Sequence, residues 1–445
     1  MRTLMKKVMS KVMCKIINKQ FNQMKKLTFT SRFLCFISLA IMTITTSVNG
    51  ATLTWQSNLP DLPAPAGESI QHGVAGAYSG ILTATNAAGI ESKVLIVAGG
   101  ANFSNTPLVN AIKADIAPEK IYHQDIFLLS NNESNQSQWQ QTKINLPLGT
   151  AYGESFTTEQ GILLFGGEVK QADGSVEKSS DIALISYQQG ELHYKKIGEM
   201  PITFAKGGSA YYQGKIYIVG GIQNGKASNN VYSYDIKKST WQQEQPLPGN
   251  NRVSPVVTIH VDKDSQATQL YVFSGFSTDN NKNIALDDGL SLNIATASAK
   301  WKTIAPIKAL FDKQLSLIGA AAIKVGAQQT LFLGGYNKKT WDDWLKTYQN
   351  VKGTKQEKNA KVNFFSQQPL RFNWNKDALL FDSSNQTWTN LGEAPFLPNC
   401  GAVIEHWQNG IVLINGEIKP GVRTASVKMA FFKDKKLTKI NKQGR

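Results

Sequence analysis

The chain has 445 residues, of which 41% are hydrophobic and 18% charged, with 36 Gly, 15 Pro and 3 Cys. This composition excludes an intrinsically disordered chain and a collagen-like one, and the length predicts either two or three domains or one large repeat architecture. The formal net charge of +16 would favour a polyanionic partner such as nucleic acid if it were spread over the folded body.

The positive charge is concentrated at the two ends of the chain. Residues 1–50 carry nine Lys and Arg and no acidic residue, while residues 433–445 carry six basic residues and one Asp. The segment between them therefore has a net charge of only +2. We predict a basic C-terminal tail over 433–445 and no nucleic-acid partner.

The first 50 residues have the features of a secretory signal peptide. A basic segment is followed by an apolar run from Phe33 to Met42 and by small and polar residues that end at Gly50. A transmembrane helix needs about 20 apolar residues, so the run is short for a membrane span. We predict export to the periplasm, with Met24 as a second candidate start and no stable membrane insertion after cleavage. An uncleaved N-terminal anchor is the alternative.

Cysteine and histidine usage favours a protein without a metal centre. Cys400 is the only cysteine that follows the signal segment, so the mature chain can form no internal disulfide. The five His show no close metal-ligand spacing, and a lone Cys is typical of a small buried residue. We predict no metal and no cofactor.

Six apolar runs that end in a pair of small residues recur through the body of the chain. The pairs are Gly99-Gly100, Gly166-Gly167, Gly220-Gly221, Ser274-Gly275, Gly334-Gly335 and Asn415-Gly416. Their spacings are 67, 54, 54, 60 and 81 residues, near the roughly 50 residues of a kelch repeat plus loop insertions. In most repeats a Trp and then a Pro follow at the same phase, as with Trp241 and Pro248.

These repeats predict an all-β fold over residues 51–432, a six-bladed kelch-type β-propeller. The segment at Trp55 has the phase of a fourth strand without its first three, and Val427–Phe432 ends the last repeat. We therefore expect the N- and C-terminal strands to pair in one blade, which closes the ring and removes free sheet edges.

The longest interval contains an insertion between Tyr336 and Trp374, whose apolar residues fit a short helix better than a strand. We expect it to project from one face of the propeller over the central pocket. Trp341 and Trp344 could close over a sugar ring or pack the helix on the propeller, and the sequence leaves both readings open.

The segment from Ile414 to Thr424 resembles the N-G-E-x-K-P-G-x-R-T signature of the N-acetylneuraminate epimerase family, bacterial sialic acid mutarotases that are six-bladed kelch propellers of the periplasm. The tracts 73–76, 149–153 and 375–382 extend the likeness. The first two of these tracts come after the signature in members with the usual blade order. The chain therefore most resembles the cyclically permuted members of the family.

The resemblance implies a cofactor-independent isomerase that interconverts the α and β anomers of N-acetylneuraminate, an anionic sugar. It implies that Glu417 is the acid/base, that Arg423 binds the substrate carboxylate and that Asn415 contributes to binding. Taken alone, the six-residue spacing of Glu417 and Arg423 across the Pro420-Gly421 turn also fits an ion pair that holds the turn together.

Three further residues are candidates for the substrate site, namely Glu168, Arg252 and Arg371, which lies at the end of the insertion. Glu168 follows Gly166-Gly167 at the phase that Glu417 has in its own repeat, and Arg252 follows the turn that contains Pro248. A structural role is the alternative for each of them. The competing function for the whole chain is a non-catalytic kelch module that binds a glycan or a protein.

Overall fold

The computed structural model describes residues 52–432, apart from short gaps at 57–58, 86–88, 90, 104, 133, 135, 189, 263–264, 279–283 and 305–314. The signal peptide predicted for residues 1–50 and the tail predicted for residues 433–445 lie outside the described residues. Most of the regular structure in the described part is β-strand, which confirms the all-β prediction. No helix in this part is long and apolar enough to cross a membrane.

Six four-stranded antiparallel sheets dominate the described part of the chain. Sheets 1 to 3 comprise Tyr78–Thr85, Glu91–Ala98, Ile126–Asn131 and Ser137–Gln141; Glu154–Thr158, Gly161–Phe165, Asp181–Gln188 and Glu191–Glu199; and Gly208–Tyr212, Lys215–Val219, Val231–Asp235 and Thr240–Gln243. Sheets 4 and 5 comprise Val256–Val261, Thr268–Ser277, Ile284–Asn293 and Lys302–Ile304; and Ala321–Lys324, Gln329–Leu333, Asp377–Asp382 and Thr387–Glu393. Sheet 6 comprises Val403–Trp407, Gly410–Ile414, Val427–Phe432 and Leu53–Gln56.

The second strand of each sheet contains the apolar run recognised in the sequence. Gly161–Phe165 and Gly410–Ile414 are buried at every position, because strands on both sides and sheets on both faces cover them. The fourth strand lies at the outer edge, and in Ser137–Gln141 exposed residues alternate with half-buried ones. A continuous apolar run thus marks an inner strand, and an alternating pattern marks an outer one.

Six apolar clusters of the described residues each join two sheets, and a seventh is formed mainly by the insertion. The buried residues of the six come from sheets 1 and 2, 2 and 3, 3 and 4, 4 and 5, 5 and 6, and 6 and 1. The repeated Trp residues fill these spaces between sheets. Trp388, for example, is 5% exposed and packs its ring against Phe273 and Phe332 at centroid distances of 5.2 and 5.1 Å.

A cycle of backbone hydrogen bonds links the starts of the six first strands. The members, each with a positive φ, are Gly76, Tyr152, Lys206, Ser254, Gly319 and Gly401. Each N–H donates to the carbonyl of the preceding member over 2.7 to 3.4 Å, and Gly76 N–H donates to the Gly401 carbonyl. The first strands surround a cavity of about 260 Å³. Its walls are mostly small residues, with Glu154, Ser155 and Ser209 among the polar ones.

Sheet 6 is assembled from both ends of the described chain. Leu53–Gln56 pairs antiparallel with Val427–Phe432, and Trp55 lies opposite Ala430. The ring of Trp55 meets that of Phe396 edge-on at 4.7 Å, which ties the N-terminal strand to sheet 5 as well.

Short sheets extend from one end of the large ones; along the chain, their strands lie between the second and third strands of a large sheet or just before its first strand. They comprise Ala101–Asn102 with Ile121–Tyr122; Thr150–Ala151 with Glu168–Lys170 and Val176–Lys178; Phe204–Ala205 with Ile222–Gln223 and Lys226–Ala227; Leu315–Ser316 with Tyr336–Asn337; and Glu417–Lys419 with Val422–Arg423. Because the strands are antiparallel, this end is also where the first strands begin. The hydrogen-bonded cycle and the short sheets therefore share one end of the structure.

Helices at this end come from two segments. Helix α1 spans Leu108–Lys113, and the insertion predicted to be helical forms α2 (Lys338–Val351), α3 (Glu357–Phe365) and a 3₁₀ turn (Pro369–Phe372). Asn337 caps α2, because its side chain accepts a hydrogen bond from the N–H of Thr340 at 2.8 Å.

Candidate functional site

The signature segment forms a hairpin that brings Glu417 and Arg423 directly opposite each other. Backbone hydrogen bonds with buried Cys400, 2.7 and 2.8 Å long, fix the start of this hairpin at Glu417. Oε1 of Glu417 accepts a hydrogen bond from the N–H of Gly421 at 2.7 Å, which closes the turn. The sequence prediction that the turn places both side chains together agrees with this geometry.

Glu417 and Arg423 form an ion pair that leaves donor and acceptor atoms unused. Nη1 of Arg423 lies 2.7 Å from Oε1 of Glu417, but the pair lacks hydrogen-bond geometry. Neither Nε nor Nη1 of Arg423 donates a hydrogen bond within the described ranges, and Oε2 of Glu417 accepts none there. The pair can therefore still bind a ligand that presents both an acceptor and a proton.

Aromatic rings hold the Arg423 guanidinium, whose side chain is only 5% exposed. Its Cζ lies 5.1 Å from the ring centroid of Phe103, and Nη2 donates to the hydroxyl of Tyr152 at 3.4 Å. Burial disfavours the charged guanidinium, but the neighbouring Glu417 carboxylate, together with Tyr152 and Tyr336, holds the pKa of Arg423 above its usual value.

Two glycines of the 73–76 tract allow this close packing. Gly76 has a φ of 69°, and a Cβ added there would lie 2.3 Å from the ring of Tyr152. A Cβ on Gly73 would lie 2.1 Å from the backbone of Thr424, next to Arg423. Any larger residue at either position would therefore push apart the elements that carry the site.

Glu168 lies in the corresponding hairpin of sheet 2 and is enclosed by its own partners. Its carboxylate accepts hydrogen bonds from Lys206 Nζ at 2.6 Å and from the Tyr122 hydroxyl at 2.8 Å, and Lys178 Nζ lies 3.7 Å away. Burial opposes ionisation, but the Lys206 ammonium and the hydrogen bonds hold the pKa of Glu168 below its usual value. Glu168 is therefore a fixed charge that positions Lys206 and Tyr122.

Tyr152 joins the Glu168 group to the Glu417 group. Its ring lies 4.9 Å from Lys206 Nζ and 4.8 Å from Lys120 Nζ, and its hydroxyl meets Arg423. Burial raises the pKa of Tyr152, so its hydroxyl stays protonated at neutral pH.

The contacts of Arg252 point to a structural role. It is 3% exposed, and it donates to both carboxylate oxygens of Asp288 at 2.7 and 2.6 Å and to the Ser274 carbonyl at 2.9 Å. None of its described contacts reaches Glu417, Arg423 or Glu168. The structure thus does not bring Arg252 together with the other predicted site residues.

Asn415 lies beneath the site. It is 1% exposed with a φ of 61°, and its carbonyl accepts a hydrogen bond from the side chain of Asn399 at 2.5 Å. Its own side-chain amide is buried and forms no hydrogen bond within the described ranges. Its left-handed backbone starts the bend that leads into the Glu417 hairpin.

The inserted helices pack beside the site through an aromatic cluster. Trp374 stacks on Tyr336 at 4.7 Å, Trp344 stacks on Phe364 at 4.1 Å, and Trp341 meets Tyr336 edge-on at 5.5 Å. Lys419 lies in the Glu417 hairpin. Its Nζ donates to the carbonyl of Phe365, the last residue of α3, at 3.0 Å and to that of Gln367, just after α3, at 2.8 Å. Of the two readings for Trp341 and Trp344, these contacts favour packing of the helices.

Several site residues were not singled out from the sequence. Tyr152 falls within the 149–153 tract, and its place in that tract was the signal available in the sequence. In the structure its ring packs against Gly76 of the 73–76 tract. Lys206 precedes a first strand at the same phase as Tyr152, which a repeat alignment within the chain could have revealed. Phe103, Lys120 and Tyr122 lie in a segment peculiar to sheet 1 and carry no repeat signal. Among the described residues, no cluster of His, Cys, Asp and Glu is arranged to hold a metal ion.

Comparison with known proteins identifies a family and several relatives that this chain resembles. The sequence model of the N-acetylneuraminate epimerase family matches residues 40–193 and 222–443. An N-acetylneuraminate epimerase from Yersinia enterocolitica is 32% identical over 249 residues, 55% of this chain and 59% of that protein. A Kelch domain-containing protein from Vibrio cholerae is 30% identical over 255 residues, 55% of this chain and 66% of that protein.

These alignments span less than two thirds of the relatives' own length. The solved structure of YjhT superposes on 85% of this chain and 98% of its own, with a TM-score of 0.56 and 16% identity, which supports the fold. The family match covers well over half of the chain and includes the Glu417–Arg423 hairpin. The chain therefore belongs to the N-acetylneuraminate epimerase family.

Proposed function

We propose that this protein interconverts the α and β anomers of N-acetylneuraminate by acid/base ring opening and reclosure. The observation that carries the proposal is the Glu417–Arg423 pair, in which Oε2 of the carboxylate and Nε of the guanidinium remain uncommitted. Membership of the N-acetylneuraminate epimerase family supports the choice of substrate.

In the proposed reaction, Glu417 accepts the proton of the anomeric hydroxyl while the bond from the anomeric carbon to the ring oxygen breaks. The electrons of that bond go to the ring oxygen, which takes up the proton, and the anomeric carbon becomes a keto carbon. Rotation followed by the reverse steps closes the ring on the other face. Protons are only moved and returned, so one positioned carboxyl is sufficient and the reaction needs no cofactor.

Arg423 would bind the carboxylate attached to the anomeric carbon. A guanidinium binds a carboxylate through charge-assisted hydrogen bonds, and Nε and Nη1 of Arg423 are both buried without an aligned acceptor, so donors remain for this contact. Because Arg423 also contacts Glu417, this binding mode holds the anomeric hydroxyl near the proton acceptor.

We also propose that the six sheets are the blades of one closed kelch-type propeller. The cycle of hydrogen bonds through Gly76 and Gly401, the six clusters between successive sheets and the pairing of Leu53–Gln56 with Val427–Phe432 support this arrangement. A closed ring also accommodates a permuted blade order, since rotation changes where the chain is cut and leaves neighbouring blades in contact. The signal-peptide features of residues 1–50 support a periplasmic location.

Proton NMR of freshly released α-N-acetylneuraminate tests the activity. The purified protein should speed equilibration of the anomers above the spontaneous rate, and Glu417→Gln should reduce this acceleration by about 100-fold or more, because it removes the proton acceptor. Glu177→Gln, at an exposed position in the Glu168 hairpin, is the matched control and should leave the rate unchanged.

The result also separates the two functional readings of the sequence. If the parent protein gives no acceleration, the proposed reaction is wrong, and a glycan-binding module becomes the reading to pursue. If the parent is active and Glu417→Gln is equally active, the ion pair only holds the turn and the catalytic group lies elsewhere.

A further inference from the structure

The charged groups around Tyr152 are not balanced pair by pair. Lys206 and Lys178 share the Glu168 carboxylate, and Arg423 lies against Glu417. Lys120 is a fourth cation in the same cluster, and no carboxylate of the described residues lies within ion-pair distance of its Nζ. The cluster thus contains four cations and two carboxylates.

Three aromatic rings surround the Lys120 ammonium. Its Nζ lies 4.8 Å from the ring centroid of Tyr152, 5.8 Å from that of Tyr122 and 5.9 Å from that of Phe103. The Phe103 ring also contacts the guanidinium of Arg423, so the two cations lie beside one ring. The rings stabilise a positive charge at this position and supply no negative charge.

Lys120 lies close enough to both carboxylates for their charges to affect it. Burial lowers the pKa of Lys120, the Glu168 and Glu417 carboxylates oppose that effect, and Arg423 adds to it. Placing an ammonium in this partly buried position costs desolvation free energy that no carboxylate of the described residues offsets directly. A bound anion would supply the missing partner.

We propose that Lys120 binds the carboxylate of the anionic sugar together with Arg423 and thereby determines selectivity for sugar acids over neutral sugars. This inference rests on the proposed function, because it assigns a second cation to the same substrate group. The charge of Arg423 is already compensated by Glu417, so a carboxylate that binds Arg423 alone would also face the negative charge of Glu417. A second cation beside the Phe103 ring offsets that repulsion.

Lys206 is the other lysine on the Tyr152 ring, and its contacts argue against the same role. Its Nζ donates to Glu168 at 2.6 Å, and withdrawing it would leave a buried carboxylate with one fewer partner. Lys120 can turn toward a ligand without breaking a described hydrogen bond or ion pair. This difference makes Lys120 the specificity-determining residue of the two.

Calorimetric binding with two ligands tests the inference without requiring turnover. N-acetylneuraminate and its methyl ester differ by one negative charge, so the ester lacks the group that Lys120 would bind. We expect Lys120→Met to weaken binding of the acid by about 30-fold, as for loss of one member of a buried charge pair, while binding of the ester changes less than about threefold. Lys120→Arg keeps the charge and should retain most of the affinity for the acid.

Lys113→Met is the matched control, because Lys113 is an exposed lysine at the end of α1 in the same segment. It should change the affinity for neither ligand. Equal weakening of acid and ester by Lys120→Met, or no weakening of either, would overturn the inference. If Lys120→Met fails to fold, Lys120→Gln replaces it, and the ratio of its affinities for the acid and the ester is compared with that of the parent protein.

Anomer equilibration followed by NMR is the separate arm for turnover. For Lys120→Met we expect KM for the acid to rise by about 30-fold with kcat within about threefold of the parent, because Glu417 is unchanged. If the parent protein binds the acid but does not equilibrate the anomers, the proposed reaction is wrong. The role of Lys120 is then judged from the calorimetric binding result alone. A parent that binds neither ligand contradicts the assignment of Lys120 directly.

Discussion

Glu417 and Glu168 follow the small-residue pairs of two different sheets, yet their surroundings give them different roles. Glu168 accepts hydrogen bonds from Lys206 and Tyr122 and is 5% exposed, so its charge is fixed in place. In Glu417 only Oε1 is engaged, and Oε2 stays available to accept a proton. At the scale of single residues, the free acceptor atom distinguishes the carboxylate that we propose to be reactive from the one that holds Lys206 and Tyr122 in place.

Arg252 provides a prediction at this scale, because its guanidinium forms a two-pronged ion pair with Asp288 inside sheet 4. Arg252→Ala should lower the free energy of unfolding by about 2–3 kcal/mol, because it leaves Asp288 and the Ser274 carbonyl without their donor. The partial exposure of Asp288 makes this loss smaller than for a fully buried ion pair. KM for N-acetylneuraminate should change less than about threefold. Urea unfolding and initial-rate kinetics measure both quantities.

The control for Arg252→Ala is Arg371→Ala, because Arg371 is an exposed arginine in the 3₁₀ turn of the insertion. It should change the free energy of unfolding by less than about 0.5 kcal/mol. The opposite pattern for Arg252→Ala, unchanged stability with KM raised more than about tenfold, would instead assign Arg252 to substrate binding.

The inserted helices border the site through packing contacts. Helix α2 buries Trp344 and Leu345, and its neighbour α3 buries Phe364. Cys400, whose backbone fixes Glu417, belongs to the same apolar cluster. Packing of the insertion therefore supports the wall from which Glu417 projects.

Trp344→Ala should loosen this element selectively. The loss of the stacked contact with Phe364 should cost about 3–5 kcal/mol of local stability, so backbone amides of α2 and α3 should exchange with deuterium markedly faster. Amides in sheet 1 should keep the parent exchange rates. Leu370→Ala, at a residue that is 61% exposed, is the control and should leave exchange in both helices unchanged.

At the scale of the whole molecule, polar side chains connect the first strands of neighbouring sheets. Ser209 donates to Glu154 across sheets 2 and 3, and Ser79 donates to Glu405 across sheets 6 and 1 at 2.7 Å. Burial raises the pKa of Glu154 and of Glu405 to about 7, although the serine hydrogen bonds act in the opposite direction. Near neutral pH these carboxyls change protonation inside the fold.

The sign of the resulting pH dependence follows from these raised pKa values. The unfolded chain ionises each carboxyl near pH 4.5, whereas the folded chain does so near pH 7, so the stabilisation present below pH 4.5 is lost as the pH rises toward 7. Each carboxyl should lower the free energy of unfolding by up to about 3 kcal/mol over this range. Glu154 borders the cavity between the first strands, which lessens the free-energy cost of ionising its carboxyl, so the value given for the change in unfolding free energy is an upper bound.

Urea unfolding at pH 5 and pH 8 tests this dependence in the parent and in a Glu154→Gln, Glu405→Gln double variant. The parent should lose more stability between the two pH values than the double variant does, because the amides do not ionise. Subtracting the change in unfolding free energy of the double variant from that of the parent removes the contribution of other titrating groups, such as His260. Glu91→Gln, at an exposed strand position, should behave as the parent, and identical pH slopes for all three proteins would contradict the prediction.

Features that depend on local patterns could be predicted from the amino-acid sequence. Continuous apolar runs that end in small-residue pairs predicted six repeated units of strands, and the Pro420-Gly421 turn predicted that Glu417 and Arg423 lie together. Each of these features depends on residues close together in the chain, so period and turn chemistry are sufficient to find it.

The residues of different repeats that share the site could be identified only in the folded chain. Phe103 and Lys120 belong to sheet 1, Tyr152 precedes sheet 2, and Arg423 extends from sheet 6, so their contacts depend on the way successive sheets pack. The partner of Arg252 was hidden for the same reason, because Asp288 lies 36 residues along the chain. No local pattern encodes such contacts, since packing between sheets constrains the apolar faces and leaves the identity of the polar neighbours to the fold as a whole.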